Sequence, residues 1–144
     1  MISFVRRHLV QFLPSFLRHI ITSIFRAYYN MSSCIFCKIV HNERSAAIVY
    51  HDDKVTAFRD IHPVAPTHIL IVPNKHIDSI NTLEPEDEPI VGHLFTVARQ
   101  LAAQEGIDAT GYRLIANTGT HGGQTIFHLH LHLIGGQRMR HPMG

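Results

Sequence analysis

The length and composition of this chain fit one globular domain with a short extension. It has 144 residues, of which 45% are hydrophobic and 17% charged, so it can bury a core and is not a disordered polypeptide. Residues 1–30 hold four arginines and no acid, whereas the rest of the chain holds nine basic and eleven acidic side chains. That larger part therefore lacks the basic surface expected of a protein that binds duplex nucleic acid.

The first 30 residues are predicted to be an amphipathic extension. Leucine, isoleucine and phenylalanine recur at helical spacing, with Arg7 and Arg18 on the other side. An arginine-bearing, acid-free segment of this kind is typical of a mitochondrial transit peptide, although Pro14 interrupts the pattern. The alternatives are a helix on a membrane surface, or translation from Met31 and a cytoplasmic location. The apolar runs are too short for a transmembrane helix.

Residues 31–144 are predicted to form one α+β domain, with an antiparallel sheet of about five strands, one long helix and one short helix. Apolar runs bounded by turn residues predict strands at 48–50, 55–58, 67–72, 112–116 and 125–134. The first two flank Asp52-Asp53, which indicates a hairpin. Helical spacing predicts the long helix over about 87–104, with Gly106 beyond its end. A short turn is expected near His76.

Cys34 and Cys37 form a C-x-x-C pair at the start of this domain. Two cysteines do not indicate a disulfide framework, so a reducing compartment is favoured. A redox pair is disfavoured because no βαβ pattern surrounds it. A structural zinc ion would need two further ligands, which histidines could supply. The remaining interpretation is two reduced, partly buried thiols.

The most informative segment is HLHLHLI, residues 128–134. Alternate side chains of a strand point to opposite faces, so His128, His130 and His132 are predicted to share one face and the leucines the other. Three imidazoles on one face indicate a functional site rather than histidines that merely lie on a half-buried surface. They could bind zinc, but no acidic residue follows Asp108, and strand-borne His-x-His metal sites commonly add a carboxylate.

Nucleophilic catalysis fits the three histidines better than a shared metal ion. A neutral imidazole can attack phosphorus if its other nitrogen donates to an acceptor, such as a neighbouring backbone carbonyl. Flanking imidazoles can stabilise charge on the phosphate and transfer a proton to the leaving group. His130 has a partner on each side and is the expected nucleophile. Glycines flank the segment, including Gly119 and Gly123, and backbone amides in such loops can bind phosphate.

The segment matches the His-x-His-x-His-x-x pattern of the histidine triad superfamily, in which x is hydrophobic. The stretches DDKVTAFRDIHPVAPTHILIVPNKHI, GYRLIANTG and HGGQTIFHLHLHLIGGQRM resemble the Hint branch, the histidine triad nucleotide-binding proteins. The resemblance extends from Cys34 to Met139 and leaves out residues 1–30. It implies a homodimer of α+β subunits that hydrolyses purine nucleoside 5′-phosphoramidates without a cofactor in the chemistry.

The resemblance also implies roles for individual residues. His130 would form the covalent nucleotidyl intermediate, supported by His128. His132 would contact the α-phosphate, and His68 would join the proton relay. The residues that would contact substrate besides His132 are Asp60 at the ribose hydroxyls, Ile61 at the base or sugar, Asn117 at the α-phosphate, Gly123 in the glycine loop, and Thr125 at the leaving group. By analogy with related proteins, His76 and His128 would complete a zinc site with the two cysteines.

The C-terminal tail departs from the Hint pattern. Many Hint proteins have a tryptophan near the end, where this chain has His141, so the resemblance leaves substrate preference open. The sequence as a whole favours a purine nucleoside phosphoramidase that acts through His130. One alternative is a dinucleoside polyphosphate hydrolase with the same nucleophile. The other is a non-catalytic, zinc-stabilised interaction module whose nucleotide pocket serves regulation.

Overall fold

The computed structural model describes residues 14–17, 19–22 and 33–139. Contacts divide the chain into two compact units, Met1–Ser33 and Cys34–Gly144. In the first unit, residues 15–17 and 19–22 are helical. Most of the predicted amphipathic extension lies outside the described residues, as does His141. None of the helices in the described ranges is long and apolar enough to cross a membrane.

The second unit contains one five-stranded sheet, and every neighbouring pair of strands in it is antiparallel. The strands are β1 (Ile48–His51), β2 (Val55–Arg59), β3 (Thr67–Pro73), β4 (Tyr112–Ile115) and β5 (Leu131–Gly135), in the order β1-β2-β3-β5-β4. The predicted hairpin forms because Asp52 accepts hydrogen bonds from the backbone amides of Lys54 and Val55. The α+β class and the number of strands are confirmed.

Two helices pack on opposite faces of this sheet. The short helix α1 (Ile35–Val40) begins at the C-x-x-C pair, and the long helix α2 is Glu88–Gln104. The chain bends at residues 74–75, next to His76, where the sequence predicts a short turn, and a 3₁₀ turn follows at Ile80–Thr82. Two further 3₁₀ turns lie at Pro85–Asp87 and Thr120–Gly122.

The leucines of the histidine segment lie in the core under α2. Leu129, Leu131 and Leu133 pack with Leu94 and Leu101 of that helix. Burial of such a side chain contributes about 1.5–3 kcal/mol, which anchors the segment. The opposite face of the sheet packs against α1 through a separate cluster that includes Phe36, Phe58, Leu70 and Val72. The predicted alternation of faces therefore holds for the leucines.

The last strand is shorter than predicted. Regular pairing of β5 begins at Leu131 opposite Ile71, whereas residues 125–130 form no strand. The reason is that the upstream amides bond elsewhere. The amide of Leu129 donates to the carbonyl of Ile77 at 2.6 Å, and that of His128 donates to Ile126 at 2.9 Å. Two of the three histidines therefore precede the regular strand.

Candidate functional site

His130 is buried just before β5, with 5% of its surface exposed. Its Nδ1 donates a hydrogen bond to the backbone carbonyl of His128 at 2.6 Å. Because a carbonyl only accepts, the proton must sit on Nδ1, and Nε2 of His130 keeps its lone pair. Burial lowers the pKa of His130, so the ring is neutral near pH 7. A neutral imidazole with a free Nε2 is the form that can attack an electrophile.

His132 has the opposite tautomer. The amide of Val64 donates to Nδ1 of His68 at 3.3 Å, so the proton of His68 sits on Nε2. That Nε2 lies 2.9 Å from Nδ1 of His132 and donates to it. The remaining proton of His132 is then on Nε2, a buried atom without a hydrogen-bond partner among the described residues. His132 therefore presents a donor beside the lone pair of His130, and their ring centroids are 5.0 Å apart.

Burial and the two neighbouring imidazoles lower the pKa of His132 to about 4. Burial also lowers the pKa of His68, although the nearby Asp60 carboxylate opposes that shift. Oδ2 of Asp60 lies 3.5 Å from Nε2 of His68, and Oδ1 accepts the amide of His62 at 2.8 Å. Asp60 thus lies next to the hydrogen-bonded pair of His68 and His132. The neighbouring residue Ile61 is 83% exposed.

The glycine loop, residues 119–124, supplies fewer backbone donors than the sequence predicts. The amide of Gly119 donates to the side chain of Gln124, and the amide of Gly123 donates to the carbonyl of Thr120. The amides of Gly122 and Gln124 both donate to the carbonyl of Gly119. Those four amides are occupied and are not available to a bound phosphate.

Asn117 lies directly beside this loop. A Cβ atom built on Gly123 would be 3.8 Å from its Nδ2, so the predicted contacts Asn117 and Gly123 are neighbours. Thr125 is exposed just beyond the loop. The hydroxyl of Thr118 is buried without a hydrogen-bond partner in the described part of the chain, and the sequence did not single out that residue.

Cys34, Cys37, His76 and His128 form a compact cluster on the other side of His130. One ligand atom from each lies within 4.8 Å of all the others. Nδ1 of His76 is 3.1 Å from the sulfur of Cys37, and Nδ1 of His128 is 3.5 Å from that of Cys34. These are the four residues that the analogy with related proteins predicted as a zinc site. The three triad histidines do not converge on one point, because His132 groups instead with Asp60 and His68.

The donor set of this cluster fits zinc. Both imidazoles direct Nδ1 at the sulfurs, while Nε2 of His76 donates to Asp78 at 2.8 Å and Nε2 of His128 donates to the carbonyl of Pro73 at 2.9 Å. Acceptors on the outer nitrogen are the usual partners of metal-binding histidines. Two thiolates and two neutral imidazoles are a common tetrahedral zinc set.

The protonation of the cysteines agrees with that fit. Burial opposes ionisation of Cys34, but the neighbouring imidazoles of His128 and His76 lower its pKa to about 5. Burial and the neighbouring Cys34 raise the pKa of Cys37 to about 12. The protein alone thus favours one thiolate and one thiol, and a bound cation would allow both sulfurs to be thiolates.

Sequence reasoning missed several residues that shape the site. Asp78 and Val64 fix the tautomers of His76 and His68, and Phe36 packs edge-on against His128 and His130. Gln124 is buried under the glycine loop. Phe36 and Gln124 contact segments far away in the sequence, and the bonds of Asp78 and Val64 depend on the local fold of the backbone, so no spacing pattern indicated them.

Comparison with known proteins gives matches over most of the chain. Residues 33–143 match the family model described as "Scavenger mRNA decapping enzyme C-term binding". The purine nucleoside phosphoramidase of Escherichia coli K12 is 55% identical over 110 residues, which are 76% of this chain and 89% of that protein. A HIT family hydrolase from Legionella pneumophila has a TM-score of 0.76 at 46% identity, covering 78% of this chain and 100% of the other. A histidine triad protein from Clostridium difficile has a TM-score of 0.73 at 45% identity, covering 75% and 94%.

Proposed function

This chain belongs to the histidine triad (HIT) family and is a nucleotide hydrolase, and we propose that it cleaves purine nucleoside 5′-phosphoramidates, such as adenosine 5′-monophosphoramidate, to the nucleoside monophosphate. The observation that carries this proposal is the pair of opposite tautomers at His130 and His132. One buried ring offers a lone pair to phosphorus, and its neighbour offers a proton donor to the phosphate oxygens.

The first half of the reaction forms a covalent nucleotidyl-histidine. Nε2 of His130 attacks phosphorus, and the bond from phosphorus to the leaving nitrogen breaks with its electron pair on that nitrogen. Nε2 of His132 passes its proton to the departing nitrogen, Nε2 of His68 replaces it at Nδ1 of His132, and solvent returns one proton to His68, so both rings stay neutral. The carbonyl of His128 stabilises the positive ring of the intermediate through its 2.6 Å hydrogen bond to Nδ1.

The second half hydrolyses that intermediate. Water attacks phosphorus and gives up one proton to solvent through the relay, and the bond from phosphorus to Nε2 of His130 breaks. The lone pair returns to Nε2, and the nucleoside monophosphate leaves. One water molecule is consumed in each cycle, so the protein is regenerated without a cofactor.

Substrate binding is proposed to use both edges of the triad. The Asp60 carboxylate would accept hydrogen bonds from the ribose hydroxyls, and the exposed Ile61 would pack on the base or sugar. Asn117 would donate to the α-phosphate, and the Thr125 hydroxyl would contact the leaving group. Gly123 would shape the loop beside Asn117, because its φ of +80° is a conformation that glycine adopts readily.

We further propose a structural zinc ion at Cys34, Cys37, His76 and His128. The ion would neutralise both sulfurs and stabilise the region that carries His130. Metal analysis of the purified full chain should give about one zinc per subunit. Zinc should be lost in Cys37→Ser, and protein free of zinc after purification without chelators would refute the site.

The homodimer remains a proposal. Its structural support is β4, an edge strand of the sheet whose four residues are all half-buried. A strand at the edge of a sheet can be extended by a strand from a second copy of the chain. Light scattering on the full chain should give twice the mass of one chain, and a monomer at micromolar concentration would contradict the proposal.

The mitochondrial location is also a proposal, supported by the four arginines and absent acids of residues 1–30. A fluorescent protein fused after residue 30 should enter mitochondria in eukaryotic cells. Replacing Arg7 and Arg18 by glutamate should abolish that import. Uniform cytoplasmic fluorescence of the unaltered fusion would contradict the transit peptide.

The decisive experiment compares substrates. The full chain is incubated with adenosine 5′-monophosphoramidate and with diadenosine triphosphate, beside His130→Ala and the exposed control His41→Ala. We expect fast hydrolysis of the phosphoramidate that only His130→Ala abolishes. Faster hydrolysis of diadenosine triphosphate would favour the dinucleoside polyphosphate hydrolase. AMP binding without turnover of either compound would favour the non-catalytic module.

A further inference from the structure

Gln124 is a buried amide whose side chain is fully bonded. Only 3% of the residue is exposed. Oε1 accepts the amide of Gly119 at 2.9 Å, and Nε2 donates to the carbonyls of Asp78 at 2.7 Å and Ile126 at 3.1 Å. Both donors and the acceptor of the amide are therefore in use. A buried polar side chain with this many partners is costly to alter, because its partners lose their bonds as well.

The bond to Asp78 joins the glycine loop to residues 76–78, which contain His76 and precede α2. In the described chain, the backbone-to-backbone hydrogen bonds of residues 119–124 stay within the loop. The backbone of Asp78 receives Gln124, while the carboxylate of Asp78 receives Nε2 of His76. One side chain thus connects the loop between Asn117 and Thr125 to the outer shell of the metal cluster.

We propose that Gln124 is a positioning residue for the reaction: it holds the glycine loop so that Asn117 and Thr125 meet the phosphate and the leaving group. The inference rests on the proposed function and deepens it. Loop donors misplaced by about 1 Å can cost about 100-fold in rate, because the transition state needs closer alignment than the bound substrate does. Asp60 and Ile61 lie outside the loop, so nucleoside binding should survive.

The test uses two replacements of similar shape in the full chain. Gln124→Glu puts a carboxylate against the carbonyls of Asp78 and Ile126, and Gln124→Met removes all three bonds without adding charge. Gln104→Glu is the matched control, because Gln104 is exposed at the end of α2. With adenosine 5′-monophosphoramidate we expect kcat to fall about 10-fold to 100-fold in both Gln124 variants, while KM rises less than about 3-fold. The control should match the unaltered chain.

A binding measurement separates this inference from the proposed function. AMP should bind about 3-fold more weakly to Gln124→Met, whereas adenosine, which lacks the phosphate, should bind equally to both proteins. If the unaltered chain does not hydrolyse the phosphoramidate, the proposed function fails, and a phosphate-selective loss would still support the positioning role. Unchanged kcat and AMP affinity in Gln124→Met would overturn the role, as would equal losses for AMP and adenosine.

Discussion

His128 belongs to the cysteine–histidine cluster through its side chain and orients His130 through its backbone carbonyl. Its Nδ1 lies 3.5 Å and 3.6 Å from the two cysteine sulfurs, and its carbonyl accepts Nδ1 of His130 at 2.6 Å. Phe36 of α1 packs against both rings, at centroid distances of 5.9 Å and 5.4 Å. The carbonyl that fixes the tautomer of the proposed nucleophile is therefore held by the same residue that faces the cysteines.

The first prediction is that the covalent intermediate forms on His130. A short reaction with adenosine 5′-monophosphoramidate, stopped at alkaline pH, should give a peptide that contains His130 and carries a nucleotidyl group. His132→Ala should still form this adduct, but about 100-fold to 1000-fold more slowly, because a donor to the transition-state charge is lost. Fragmentation mass spectrometry locates the adduct, and an adduct on His68 or His132 would contradict the assignment.

The second prediction concerns pH. The pKa values of His68 and His132 are lowered in the folded protein, the latter to about 4, so the folded state binds fewer protons than the unfolded state below about pH 6.5. The free energy of unfolding should therefore decrease as the pH falls from 7 toward 4. Each such group contributes at most about 1.4 kcal/mol per pH unit.

Urea unfolding of the full chain at several pH values measures this effect. His132→Gln removes one of the titrating groups, so its free energy of unfolding should change less steeply between pH 6.5 and 4. The exposed His41 provides the matched control, and His41→Gln should keep the slope of the unaltered chain. Equal slopes in all three proteins would show that His132 keeps an ordinary pKa.

The alternating pattern of the histidine segment allowed its two faces to be predicted. Leu131 and Leu133 lie in the core, as a strand with period two requires. The irregular backbone from 125 to 130 was not predictable, because the amide of Leu129 bonds to Ile77, which is far away in the sequence. The role of Gln124 was hidden for the same reason, since its partner Asp78 is 46 positions away.

The tautomers of the imidazoles were likewise predictable only in part. Sequence reasoning expected a backbone carbonyl to orient the nucleophile, and the carbonyl of His128 does so. The direction of the His68 to His132 relay depends on the amide of Val64, an exposed loop residue with no distinctive spacing. The bonds that fix these protons span only four positions for Val64 and two for His128, but they depend on the fold of the backbone, which residue spacing does not show.

The third prediction tests whether Asp78 supports zinc binding at the proposed site. Asp78→Asn weakens the acceptor for Nε2 of His76, which lies 2.8 Å from Oδ1. Loss of such a partner typically reduces metal affinity about 10-fold to 100-fold. Competition with a chromophoric zinc chelator measures the affinity, and the exposed Asp108→Asn should behave like the unaltered chain. Equal zinc affinity in Asp78→Asn and the control would show that Asp78 does not support zinc binding through His76.

The fourth prediction assigns ribose recognition to Asp60. Asp60→Asn keeps an oxygen for the amide of His62 but removes the charge that would accept ribose hydroxyls. AMP binding should weaken by about 1–3 kcal/mol, the range for hydrogen bonds to a charged group. Because Asp60 also lies 3.5 Å from His68, turnover alone would not isolate this contact.

Comparing the binding of AMP and 2′,3′-dideoxy-AMP by calorimetry isolates the contact between Asp60 and the ribose hydroxyls. The unaltered chain should prefer AMP, and Asp60→Asn should bind the two nucleotides with nearly equal affinity, because the hydroxyls then meet no carboxylate. Asp53→Asn, at an exposed position in the β1–β2 hairpin, should retain the preference. If the unaltered chain binds both nucleotides equally, Asp60 does not recognise the ribose, and its carboxylate serves only its contacts within the protein, with His62 and His68.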